Sequence, residues 1–139
     1  MITWTGPTAR SMAVADSSIR PGQFSSQEGA FAVRAEQRGG ATVVLPTGEI
    51  DLNASPFLRQ ELKRIQTSRP QRLIVDLAGV PYMDSSGVAT LVEAMQFARK
   101  NSTKLVLCGM QDKVRSIFEI ARLETVFTIV PDVDAAMSV

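Results

Sequence analysis

The run Arg72-Leu73-Ile74-Val75-Asp76-Leu77, followed by Val80-Pro81-Tyr82-Met83-Asp84-Ser85-Ser86-Gly87-Val88, decides the fold. The first part is a short apolar run of the kind that forms a strand buried on both faces, with Asp76 as its one polar interruption. A turn follows. Beyond Ser86 the apolar positions Val88, Leu91, Val92 and Met95 recur at helical spacing, which predicts a helix over about 86–100. Arg99, Lys100 and Asn101 suit its C-terminal end. A strand that passes directly into a helix is half of a parallel β–α–β unit.

The pattern repeats on either side. Upstream, 31–36 alternates weakly, Gly39-Gly40 predicts a hairpin turn, and 41–50 is the return strand. Pro46 within it suits a bulge or an edge. Ser55 before Pro56 predicts an N-cap and first-turn pair, with Asn53 as a further cap, and Leu58, Leu62 and Ile65 line the helix that follows. Ser68-Arg69-Pro70 closes it. Downstream, 104–108 is a strand, Val114, Ile117, Phe118 and Ala121 mark one face of a helix, 126–130 is a last strand, and Pro131-Asp132 opens a short final helix through Met137. The order β-β-α-β-α-β-α-β-α predicts a single α/β domain: a mixed, largely parallel sheet with helices packed on it.

Composition narrows the chemistry. A chain of 139 residues fits one domain. Residues 1–28 are rich in Ser, Thr, Gly, Pro and Ala without periodicity, which predicts a disordered arm ahead of a domain over 29–139. Trp4 and Phe24 lie in that arm. The start lacks a basic stretch followed by a long apolar one, so no signal peptide is expected, and no run is long enough to span a bilayer. A cytoplasmic protein is expected. Lys and Arg total 15 against 14 acidic residues, which argues against a nucleic-acid footprint and against a polybasic membrane anchor.

The chain has no histidine and one cysteine. Serine–histidine and cysteine–histidine nucleophile pairs are thereby excluded, and with them the histidine-bearing zinc sites. Cys108 ends an apolar run and is expected to be a buried, inert thiol. No metal and no cofactor are expected. Leu45-Pro46-Thr47-Gly48 and the sequons at Asn53 and Asn101 are near matches to sorting and glycosylation signals and carry no function here. No glycine-rich loop has the spacing of a nucleotide phosphate cradle.

Asp84-Ser85-Ser86-Gly87 remains. Asp and Ser are preferred helix caps, because their oxygens accept the free amides of the first turn, and a cap alone would account for one of them. Two hydroxyls stand there beside a carboxylate, at the positive pole of a helix where a phosphate is accommodated. An exposed hydroxyl and a small Gly87 that leaves the surface open are expected. Hydrolysis is not: no general base lies at a telling spacing and Gly-x-Ser-x-Gly is absent.

Three features together resemble the STAS domain, and more narrowly the bacterial anti-sigma factor antagonists. They are Gly48-Glu49-Ile50-Asp51 leading to Ser55-Pro56; the strand and Tyr82-Met83-Asp84-Ser85-Ser86-Gly87 quoted above; and Lys104-Leu105-Val106-Leu107-Cys108 with Val114-Arg115-Ser116-Ile117-Phe118 and Leu123. The resemblance implies a non-catalytic, partner-switching protein. An anti-sigma factor that is also a serine kinase would phosphorylate Ser86, a phosphatase would reset it, and Asp51, Asp84, Ser85 and Gly87 would form the partner-binding surroundings. Where many antagonists carry a second glycine, this chain has Val88-Ala89-Thr90-Leu91-Val92-Glu93-Ala94. That departure resembles relatives serving as constitutive subunits of lipid-transport ATPases or as stress-signalling scaffolds.

Overall fold

The computed structural model describes residues 3–4 and 30–139. Its elements in chain order are β1 (Thr3–Trp4), β2 (Ala32–Arg38), β3 (Ala41–Thr47), α1 (Ser55–Gln66), β4 (Arg72–Asp76), α2 (Ser85–Lys100), β5 (Lys104–Cys108), α3 (Asp112–Ile120), a 3-10 turn (Leu123–Thr125), β6 (Thr128–Val130) and α4 (Val133–Ser138). The strands form one sheet in sequence order. β1, β2 and β3 pair antiparallel, and β3 through β6 pair parallel. Apart from β1, the arm expected over 1–28 lies outside the described residues, Phe24 with it.

Alternation along the strands explains the continuous apolar runs. Leu73, Val75, Leu77, Leu105 and Leu107 face one side, where they pack with Leu58 and Leu62 of α1, Leu91 and Met95 of α2, and Val114 and Phe118 of α3. Val43, Ile74, Val106 and Cys108 face the other, against Ala136 of α4. Sequential parallel strands joined by right-handed crossovers put their helices on one face, so α1 to α3 form one layer and α4 covers the opposite side. Arg72 holds α4 in place by donating from Nη1 to the carbonyls of Ala136 (3.0 Å) and Val139 (2.5 Å).

Several details differ from the sequence expectation. β3 is an interior strand, paired with β2 through Pro46, and its parallel pairing with β4 breaks after Val44↔Val75 and is bridged again at Thr47↔Gly79, so Pro46 stands in a gap of that ladder. In α2 the buried stripe is Gly87, Thr90, Leu91, Ala94, Met95 and Ala98, while Val88 and Val92 are only partly buried. Small residues on that stripe let the helix approach its neighbours closely, which displaces the larger β-branched residues toward the rim. Ala121 is exposed because α3 stops at Ile120 and Arg122 turns left-handed, at φ 61°. The last strand is shorter than 126–130, since the 3-10 turn occupies the approach to it.

Cys108 is fully buried, and desolvation, reinforced by the nearby carboxylates of Asp76 and Asp132, pushes its thiol up to about 12. The reactive thiolate is therefore scarce at pH 8. A disulfide-exchange reagent at pH 8 is expected to leave the native protein unlabelled over an hour and to label one thiol promptly in denaturing urea. Rapid labelling without urea would contradict the burial.

Candidate functional site

β3 and β4 run side by side in the same direction, so the loops leaving their C-terminal ends meet. They are joined by a parallel bridge between Ile50 and Met83, both fully buried. Ile50 N–H donates to Tyr82 O (3.0 Å) and Asp84 N–H donates to Ile50 O (3.1 Å). This places 50–55, at the start of α1, against 82–87, at the start of α2.

Asp51 organises the first loop. Its Oδ1 accepts from the backbone amides of Asn53 (3.0 Å) and Ala54 (2.9 Å), closing an Asx-type turn into α1. Ser55 and Asn53 are therefore not the caps that the sequence suggested: the residue at the cap position is Ala54, and no side chain caps from there. Ser55 lies inside the helix and is buried. Its hydroxyl reaches Asp51 O (2.7 Å) and, across the two loops, Ser86 Oγ (2.6 Å).

Asp84 organises the second loop as the N-cap of α2. One oxygen, Oδ1, accepts from Ser86 N (2.9 Å), Gly87 N (3.3 Å) and the Ser86 hydroxyl (2.5 Å). The Ser86 hydroxyl bond, helped by backbone amides of Ser86, Gly87 and Leu52 and opposed by partial desolvation, holds the Asp84 carboxyl below its usual range. Ser85 is exposed and Ser86 half-buried, so the freely exposed hydroxyl of the pair is that of Ser85. Gly87 does not leave the surface open. It is buried, and a Cβ there would stand 2.5 Å from Met83 Cγ, 2.8 Å from Ile50 Cγ2 and 3.0 Å from Ile50 O.

The structure thus brings Asp84, Ser85, Ser86 and Gly87 together at the entry of α2 and connects Asp51 to them through Ser55. Ser55 is the site residue that sequence reasoning missed. It stands 31 positions from Ser86, and only the parallel pairing of β3 with β4 makes them neighbours. Among the described residues no group of three or more His, Cys, Asp or Glu side chains could hold a metal ion, and no helix is long and apolar enough to cross a membrane.

Two expectations follow from this geometry. Gly87→Ala should lose about 1–3 kcal/mol in urea unfolding despite alanine's better helix propensity, because Ile50 O is backbone and cannot turn aside. Asp84→Ala should lose about 1 kcal/mol at pH 7 through the cap. Since the folded carboxyl titrates below its ordinary 3.8, the stabilisation by Asp84 is complete above that pH and disappears as pH falls through the lower folded value. Wild type and variant should converge there in stability; a gap independent of pH would exclude a charged cap.

The same arrangement of strands and helices occurs in known proteins. A model of the STAS domain family matches residues 32–136. The chain is 34% identical over 86 residues to the anti-sigma-B factor antagonist of Listeria monocytogenes, a stretch covering 62% of this chain and 75% of that protein. An anti-sigma factor antagonist from Mycobacterium paratuberculosis has a similar structure, with a TM-score of 0.75 at 24% identity over 81% of this chain and 96% of that one. The Bacillus cell fate determinant SpoIIAA in its phosphorylated form is similar with a TM-score of 0.60 at 20% identity, over 75% of this chain and 96% of that one. These solved structures share the fold, and the family match spans most of the chain: the protein belongs to the STAS domain family.

Proposed function

We propose that this protein is an anti-sigma factor antagonist whose choice of partner is set by phosphorylation of Ser86. The reading rests on one observation: a serine hydroxyl at the second position of α2, beside a capping carboxylate, in a loop that reaches the surface. The Listeria relative carries the name anti-sigma-B factor antagonist, and SpoIIAA has been solved in a phosphorylated form. Both support the assignment.

The physical switch is local. A phosphate adds about 1.5–2 negative charges. On Ser86 it would lie next to the ionised Asp84, with Asp51 one loop away, and a partner docked over this edge would face concentrated like charge. Leu52, 73% exposed, and Tyr82 flank the serines and offer apolar anchors for that partner. Repulsion of about 1.4 kcal/mol already changes affinity tenfold, so the switch requires no refolding. The unmodified protein captures an anti-sigma factor that is also a serine kinase, freeing the sigma factor. Phosphorylation releases the kinase and a phosphatase resets the cycle. In this role the protein acts in the cytoplasm, catalyses nothing and binds no nucleic acid.

Incubation with such a kinase and ATP should add one phosphate, located on Ser86 by mass spectrometry. Ser86→Ala should still capture the kinase, whereas Ser86→Asp should bind it at least about tenfold more weakly by calorimetry. Phosphate on Ser85 with Ser86 bare would overturn the assignment. Recovery of a transport ATPase, indifferent to Ser86→Asp, would move the protein to the constitutive subunits.

A further inference from the structure

Three short oxygen contacts at the site share two hydroxyl protons. Ser86 Oγ lies 2.5 Å from Asp84 Oδ1 and 2.6 Å from Ser55 Oγ, and Ser55 Oγ lies 2.7 Å from Asp51 O. An ionised carboxylate only accepts, so the Ser86 proton lies toward Asp84. The contact between the two hydroxyls then needs the Ser55 proton, since two oxygens at that distance without one would repel. Asp51 O, 2.7 Å from Ser55 Oγ, shares that same proton as a second acceptor, beside its 2.9 Å bond from Ser55 N–H. The Ser86 proton therefore points to Asp84, and the Ser55 proton is shared between Asp51 O and Ser86 Oγ. Ser55 is 5% exposed and fixed in the first turn of α1, so its hydroxyl comes from the inner side.

We infer that Ser55 is a positioning residue that latches the Ser86 hydroxyl inward and slows its acceptance of a phosphoryl group. The inference rests on the reading of Ser86 as the acceptor. The Ser55 hydrogen bond occupies a lone pair of the attacking oxygen and holds it away from an approaching kinase. In the transfer the Ser86 Oγ–phosphorus bond forms as the bond from that phosphorus to the nucleoside diphosphate breaks. The diphosphate leaves with the electron pair, and the Ser86 proton is given up to solvent. The product oxygen has no proton left, so it cannot stay 2.5 Å from Asp84. The side chain swings outward, and the Ser55 hydroxyl keeps Asp51 O as its one acceptor.

The test compares the full-length wild type with Ser55→Ala and Ser55→Thr, each confirmed folded by urea unfolding. Without any kinase, the Hα–Hβ couplings of Ser86 should report one rotamer in the wild type and in Ser55→Thr, and averaging in Ser55→Ala. With an anti-sigma serine kinase and ATP, Ser55→Ala should accept phosphate on Ser86 about fivefold faster, the worth of one released hydrogen bond, and Ser55→Thr at the wild-type rate. A single Ser86 rotamer in Ser55→Ala, equal or slower transfer in that variant, or a threonine variant behaving like alanine overturns the inference while leaving Ser86 as the acceptor. A wild type that takes no phosphate on Ser86 overturns the acceptor reading and the inference with it.

Discussion

The parallel pairing of β3 with β4 is the constraint on which the site depends. Parallel neighbours send their chains out at the same sheet edge, so the entries of α1 and α2 must lie side by side. The Ile50–Met83 bridge draws them together until a Cβ on Gly87 would overlap Ile50. Ser55 and Ser86 come within hydrogen-bond reach for that reason alone. The polar surface at this edge is a consequence of an apolar contact just beneath it.

Helix ends then convert geometry into electrostatics. Asp51 and Asp84 each turn a carboxylate back onto backbone amides at the start of a helix, which satisfies donors that would otherwise be unpaired. Asp84 stays charged in doing so, its carboxyl held below the usual range by the Ser86 hydroxyl. The proposed phosphate on Ser86 would therefore meet negative charge already in place at Asp84. Such a modification would strengthen a repulsion rather than create one from nothing. The small stripe of α2 seats that helix closely while Ser85 in its first turn remains at the surface.

Much of this was legible in the chain. The continuous apolar runs at 73–77 and 104–108 announced buried strands, and the two faces of that part of the sheet are in fact covered. The strand-to-helix passage at Asp84 was legible because Asp and Ser before a helical stripe have few other uses. The reading of Ser55 as a cap failed because its local pattern, a serine before proline, is the same whether the hydroxyl bonds its own helix or another loop. Gly87 was misjudged for a similar reason: a glycine announces missing volume, not which neighbour needs the space.

Order and pattern along the chain by themselves determined the class of fold, the succession of elements, the absence of histidine chemistry and the Asp84-Ser85-Ser86-Gly87 loop, since all of these depend on residues close in sequence or on composition. Only the tertiary structure decided which serine is open and which is held, what Gly87 is for, and that Ser55 belongs to the site. Those depend on contacts between loops some thirty residues apart, which local periodicity does not encode and which the sheet alone brings about.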